Sequence, residues 1–140
     1  MSERPPHVSS PQAIHLRESA APGPRGDPER LRWLIRRIAG DDHAAFSELY
    51  YRCSGLVAYG LRSRVTDRRR AAGVLAGTFV EVWWLAGCHV DADADVMVWI
   101  EEIVQRRVAD SRPVAATGPG IPGPHWAQGV EMELTALLSC

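Results

Sequence analysis

Apolar residues recur at helical spacing through the middle of the chain, from residue 28 to residue 112. Large apolar side chains return every three or four positions there, and no segment shows the strict alternation expected of a β-strand. The pattern predicts an all-α fold, a small helical bundle of about four helices. The first two helices are predicted to bury Leu31, Leu34, Ile35, Ile38, Phe46, Leu49, Tyr50, Cys53, Val57, Leu61 and Val65. The third and fourth are predicted to bury Ala71, Val74, Leu75, Thr78, Phe79, Val82, Ala86, Val96, Trp99, Ile100, Ile103 and Val104.

Capping residues and helix breakers set the predicted ends of these helices. Asp27 before Pro28 is a favourable N-cap and first-turn pair, and Gly40 is the predicted end of the first helix. A proline after Arg112 disfavours further helix. The other predicted N-caps are Asp41 or Asp42, Asp67 and Asp95, and the other predicted ends are near Thr66, Gly87 and Arg112.

The two ends of the chain differ from this middle part in composition. Residues 1–27 carry five prolines and few large apolar side chains, so they are predicted to form a disordered tail. Residues 113–124 contain four prolines and three glycines, which predicts a linker between the 28–112 helical domain and the rest. Residues 125–140 have apolar residues at the spacing of one short amphipathic helix. A helix of that length is marginal in water unless it docks on another surface.

Composition narrows the functional classes. A chain of 140 residues with net charge −1 fits one domain with tails rather than a multidomain enzyme. No run of about 18 apolar residues is present, so we expect a cytoplasmic protein without membrane contact. Cys53, Cys88 and Cys140 form no CxxC pair and are expected to be reduced thiols. No catalytic constellation stands out, so we expect neither an enzyme nor a cofactor or small-molecule substrate.

Three segments carry a more specific signal. Residues 40–50 read GDDHAAFSELY, with a glycine and acidic residues ahead of an Ala-Phe and a Leu-Tyr pair; residues 78–83 read TFVEVW and residues 99–110 read WIEEIVQRRVAD. In this order and spacing they resemble the region-two domain of sigma-70 family RNA polymerase sigma factors, of the extracytoplasmic-function (ECF) type. The resemblance covers about residues 29–112.

The resemblance implies a set of partners and surfaces. It implies a protein that docks on the clamp helices of the β′ subunit of core RNA polymerase and helps to open the minus-ten element of promoter DNA. An anti-sigma or helper protein is a further candidate partner. Melted DNA is held by basic side chains that track its phosphates, a role assigned here to Arg106, Arg107 and Arg112. The surface assigned to polymerase or another protein partner comprises Arg68, Arg69, Arg70, Phe79 and Trp84.

Two departures from the family pattern support an alternative. The family carries acidic and Gln-Glu pairs, polar groups of the kind that contact the polymerase clamp, where this chain has Ala72, Gly73, Ala76 and Gly77. No segment after Pro113 is long enough for the helix-turn-helix domain that reads the minus-thirty-five element. The alternative is a degenerate sigma-like domain that acts as a protein-interaction or regulatory module without polymerase binding.

Each candidate side chain also has a purely structural interpretation. A basic run at a helix start, as at Arg68 to Arg70, is often a solvated face. Phe79 fits the core whatever the function, and Trp84 can pack against a neighbouring helix. Arg106 and Arg107 are favoured near a helix C-terminus without any ligand.

A third hypothesis is a calcium-responsive helical protein. Asp91, Asp93, Asp95 and Glu102 match the first, third, fifth and twelfth positions of an EF-hand loop. The sixth position requires glycine for its sharp turn, whereas this chain has Val96 there. We therefore expect no metal site, and instead an exposed acidic loop that caps the fourth helix.

Overall fold

The computed structural model of the protein describes residues 27–89, 94–112 and 125–140, and these residues contain helices and no strand. Helix α1 spans Pro28–Ile38, α2 spans His43–Leu61, α3 spans Arg68–Leu85, α4 spans Val96–Asp110 and α5 spans His125–Leu138. A single 3-10 turn over Ala86–Cys88 follows α3. The predicted all-α bundle is confirmed, and a fifth helix packs against the four expected ones. The predicted tail, apart from Asp27, and the predicted linker lie outside the described residues.

An aspartate caps the start of each of the first four helices. Asp27, Asp67 and Asp95 accept backbone N–H bonds from the first turns of α1, α3 and α4. At the start of α2 the cap is Asp42, which accepts the Ala45 N–H at 3.0 Å. This bond, followed by that of the Arg37 guanidinium, lowers the pKa of the Asp42 carboxyl.

The turn between α1 and α2 differs from the prediction. Helix α1 ends at Ile38 rather than at Gly40. The left-handed position in this turn is Asp41, with φ 62°, and not the glycine before it. Aspartate tolerates this region better than most residues because its short polar side chain can bond locally.

The core lies among α1, α2, α3 and α4, and Leu134 of α5 joins it. Most of the predicted inward side chains are buried, whereas four of them, Tyr50, Ala71, Leu75 and Trp99, are only partly buried. The largest completely enclosed side chains are Phe46, Phe79, Leu34, Ile35, Ile38, Leu49, Leu61, Ile100, Ile103, Val74, Val82 and Val104. The helical spacing of apolar residues therefore predicted most of the buried side chains correctly.

Helix α3 is buried on more sides than its apolar spacing predicted. Besides the predicted face it buries Gly73, Ala76, Gly77 and Val80, because α5 and α4 pack against it in addition to α2. Buried Thr78 satisfies its hydroxyl by donating to the Val74 carbonyl oxygen at 2.7 Å. A helix enclosed in this way must be small and apolar around most of its circumference.

The burial of α3 explains why its sequence is apolar over a long stretch. The stretch Arg68–Cys88 is long and apolar enough to cross a membrane, and it is the one such helix among the described residues. Half of it is buried inside the bundle. An enclosed core helix meets the same criteria of length and composition, so the stretch is weak support for a membrane span.

Candidate nucleic-acid and partner interface

The start of α3 meets the end of α4 through one arginine. The Arg70 guanidinium donates to the Ser111 hydroxyl oxygen at 2.9 Å and to the Val108 carbonyl oxygen at 3.3 Å. The last carbonyls of a helix lack partners within the helix and attract cations, so this contact caps α4. Arg70, predicted to bind a partner, is therefore engaged within the fold.

The same contact brings two predicted sites together. Because Arg70 holds the two helix ends side by side, Arg68 and Arg69 lie at the same end of the bundle as Arg112. Arg62, at the end of α2, belongs to the turn that leads into α3. All four side chains are exposed, and none has an ion-pair partner among residues 27–89, 94–112 and 125–140. We call Arg62, Arg68, Arg69 and Arg112 the basic end.

The other two arginines predicted to bind DNA have an acidic partner. Glu81 of α3 accepts from Arg106 Nη2 at 2.6 Å through one carboxylate oxygen and from Arg107 Nε at 2.6 Å through the other. The Glu81 side chain is only 15% exposed, so solvent screens these pairs less than pairs on an open surface. One of the two positive charges is thus neutralised within the fold.

Arg107 lies along α3 beside Gly77. A Cβ atom at Gly77 would be in ordinary van der Waals contact with Arg107 Nη1, at 3.5 Å, so this contact does not require glycine. Sequence reasoning did not find Glu81, whose contact with α4 depends on where the two helices cross.

The two aromatic residues predicted for a partner surface have opposite environments. Phe79 is completely buried and packs edge-on against Tyr50, with ring centroids 5.0 Å apart. Its assignment to a partner surface is therefore corrected, since its ring has no exposed area to offer. Trp84 is 67% exposed, and its Nε1 donates to Glu133 Oε1 of α5 at 3.0 Å. Its role as a partner contact stays a prediction.

Helix α5 lies directly against α3 at Gly73. A Cβ atom there would lie 2.7 Å from the Ala127 Cβ and 3.0 Å from the Trp126 ring. Atoms do not come this close, so the helix pairing requires glycine at this position. Gly73 is one of the positions where the family pattern has a polar residue, and in this protein its face is occupied by α5.

Asp95 and a cleft lie at the described edge of the acidic loop. Asp95 accepts N–H bonds from Met97 at 2.8 Å and Val98 at 3.3 Å, which is the cap predicted for α4. The residues at positions 91 and 93 lie outside the described part of the chain. In the part that is described, no three His, Cys, Asp or Glu side chains are placed to hold a metal ion. Cys88, His89 and Trp99 line a shallow cleft beside this loop.

Known proteins resemble one region of the chain. Over 78 residues it is 35% identical to the ECF RNA polymerase sigma factor SigK of Mycobacterium tuberculosis and to that of Mycobacterium bovis. The aligned region is 55% of this chain and 41% of each relative, so the chain spans about two fifths of the length of these relatives. No family model matches the chain, and no solved structure matches it significantly. The similarity supports the presence of an ECF sigma-like domain.

Proposed function

We propose that the protein is a sigma-factor-like protein of transcription initiation, which acts in the cytoplasm and binds core RNA polymerase and the minus-ten region of promoter DNA. The similarity to SigK over 78 residues is the observation that carries this proposal. The all-helical bundle of the described residues is consistent with it. In this role the protein catalyses no reaction and acts only through binding.

Arg112, at the basic end, is the proposed contact with DNA. It is exposed and has no acidic partner within the described ranges, so its full charge is available to phosphates. Arginine presents a planar fork of donors that matches a phosphate group. Arg106 adds a half-exposed guanidinium further along α4, although it shares Glu81 with its neighbour. The proposed role of Arg107 requires that its bond to Glu81 break.

Helix α3 is the proposed contact with polymerase. It presents Arg68 and Arg69 at its start and the exposed ring of Trp84 at its end. Tryptophan and arginine are enriched among the residues that dominate the energy of protein interfaces. Charge on such a surface mainly affects the rate of association and the choice of partner.

A second candidate function has an observation of its own. At Gly73 the face of α3 lies under Ala127 and Trp126 of α5. If α5 stays docked permanently, this face of α3 is not accessible to a helix of another protein. The alternative is therefore a degenerate sigma-like domain that acts as an interaction or regulatory module without polymerase binding.

Titration with purified core RNA polymerase separates the two functions. The labelled full chain is titrated at low and at moderate salt, beside Arg69→Glu and the control Arg36→Glu. Arg36 is exposed on α1, so both variants change the charge equally. Saturable binding that Arg69→Glu weakens several-fold, mainly through the association rate, supports the proposal. If neither the native chain nor a variant in which α5 is displaced from α3 binds polymerase, the interaction module is the function that remains.

Fork DNA with an unpaired minus-ten strand tests the second partner. Loss of one phosphate contact to single-stranded DNA lowers the slope of log affinity against log salt by about 0.7. We expect this decrease for Arg112→Ala and no change for Arg36→Ala. Arg70 is left unchanged in these experiments, because its replacement would remove the cap of α4. Equal slopes for the two variants would place the DNA contact elsewhere.

A further inference from the structure

Helix α5 is attached to the bundle mainly through one neighbour, α3. It contacts α3 in its own first turn and again just past its middle. Trp126 and Ala127 press on Gly73, and Glu133 accepts the Trp84 indole N–H. Positions 73, 76, 80 and 84 form one stripe along α3, about 16 Å long at the rise of an α-helix. We call these four residues, Gly73, Ala76, Val80 and Trp84, the α5 stripe.

Helix α5 buries few of its own side chains, although its contact with α3 is the most extensive between any two of the described helices. From residue 126 to residue 138 only Ala127 and Leu134 are buried, whereas α3 buries eight of its 18 residues. The bond between Trp84 and Glu133 is exposed to solvent. Besides it, α5 has a bond between the Leu137 carbonyl oxygen and His43 Nδ1 at 3.0 Å. A hydrogen bond of this kind contributes about 0.5–1.5 kcal/mol net.

Undocking of α5 is an opening that leaves the other four helices packed on one another. Elements that bury few side chains of their own can open locally at a fraction of the global unfolding free energy. The largest enclosed side chains of the core all belong to α1, α2, α3 and α4, so they keep their contacts with one another when α5 leaves, whereas the core loses Leu134. Twelve residues with four prolines and three glycines separate α5 from Arg112, and they keep it attached to the chain.

We propose that α5 is an intramolecular competitor, which occupies the α5 stripe until a helix of core RNA polymerase displaces it. The inference rests on the proposed function, in which α3 carries the polymerase contact. The chemistry of α5 indicates what the displacing helix must provide. It needs a small residue and an aromatic side chain against Gly73, and a hydrogen-bond acceptor near Trp84.

Helix α5 contains Glu131 and Glu133 and no arginine or lysine. Glu133 lies beside Trp84, at the opposite end of α3 from its three arginines, so charge does not decide this docking. The resident helix has the advantage of tethering, because a covalent link makes its docking intramolecular.

Two substitutions on α5 separate undocking from a change of charge. Leu134 is 8% exposed and Met132 is 74% exposed, so Leu134→Glu places a carboxylate in the interface and Met132→Glu places one in solvent. Neither alters α3. Hydrogen exchange of residues 125–140 measures docking, and titration with core RNA polymerase measures competition. If Leu134→Glu leaves α5 protected from exchange, Ala127→Glu is used instead, because Ala127 lies directly against Gly73 of α3.

The expected gain follows from the undocked population. If the open form accounts for about 1–10% of the native protein, full undocking tightens polymerase binding about 10- to 100-fold. We expect Leu134→Glu to show this gain together with fast exchange in α5, and Met132→Glu to match the native chain. A peptide of residues 125–140 should reverse the gain, whereas the same peptide with Leu134→Glu should not.

The outcomes distinguish this inference from the function on which it rests. If the native chain binds polymerase, and undocking of α5 does not tighten that binding, the competition is refuted and the proposed function stands. If no variant binds polymerase even with α5 undocked, the proposed function fails and the competition fails with it. A peptide that does not compete, when the undocked variant binds tightly, also refutes occupation of a shared surface.

Discussion

Replacing Gly73 with alanine adds one methyl group where α5 lies directly against α3. The new Cβ atom would lie 2.7 Å from the Ala127 Cβ, and ordinary contacts begin near 3.4 Å. Helix α5 must therefore retreat by about 0.7 Å, the difference between these distances. A radial gap of about 0.5–1 Å removes a quarter to a half of the dispersion energy of a contact. The substitution should weaken the docking of α5 along its length.

The same methyl group favours the helix that carries it. Alanine in a helix interior is about 0.5–1 kcal/mol more favourable than glycine. Overpacking of an interface costs about 1–3 kcal/mol. If α5 moves away as a unit, the overpacking lowers the free energy of α5 docking, whereas the higher helix propensity of alanine stabilises α3. We expect Gly73→Ala to leave the global unfolding free energy within about 1 kcal/mol of the native value, while α5 loses protection.

Hydrogen exchange resolved by segment measures the docking of α5, and urea unfolding measures the global unfolding free energy. Amides of residues 125–140 should exchange about tenfold faster, which corresponds to about 1.4 kcal/mol of docking free energy. The control is Gly55→Ala in α2, where a Cβ atom would meet nothing within 4 Å. It should stabilise the protein by about 0.5–1 kcal/mol and leave α5 unchanged. If Gly73→Ala accelerated amide exchange equally in all helices, the reasoning that α5 undocks separately from the rest of the bundle would be refuted.

Three further predictions concern single side chains. Glu81→Gln removes the partner of two α4 arginines, so binding of single-stranded DNA should tighten, and its salt slope should steepen by up to about 1.4; an unchanged slope would contradict this. Burial raises the pKa of the Cys53 thiol to about 11, so Ellman's reagent at pH 8 should titrate the two exposed cysteines first and the third only on unfolding. The Arg30 guanidinium, which bonds Glu48, holds the pKa of that carboxyl below its ordinary value of 4.5. The stabilisation is therefore present above about pH 4.5 and lost as the pH falls through the lower folded value, and Glu48→Gln should flatten the melting temperature over this range.

Features with local causes were predictable from the sequence. An aspartate N-cap and the first turn that it satisfies are within three residues of each other, so the starts of four helices could be predicted. Apolar spacing likewise identified most of the core, because the period of a helix is a property of the backbone. Errors occurred where a local signal was ambiguous. Two adjacent aspartates competed for the cap of α2, and Asp41 took the left-handed position instead of Gly40.

The candidate site depended on contacts between residues far apart in the chain. Glu81 meets Arg107 across 26 positions, and Arg70 meets Ser111 across 41. No periodicity within one helix encodes such a pair, because it depends on where two helices cross. For the same reason the sequence predicted two separate basic sites, whereas the fold joins Arg68 and Arg69 to Arg112 and encloses the ring of Phe79.

Helix α5 shows most clearly what the sequence predicts and what only the tertiary structure decides. Its sequence predicts a short amphipathic helix and the need for a surface, but it does not say which surface. The absence of a side chain at Gly73 is uninformative until Ala127 and Trp126 are placed against it. Local backbone and side-chain preferences thus determined the helices and the inward-facing residues. Only tertiary packing decided which charges are neutralised and which face of α3 is occupied, because these outcomes depend on distances in space.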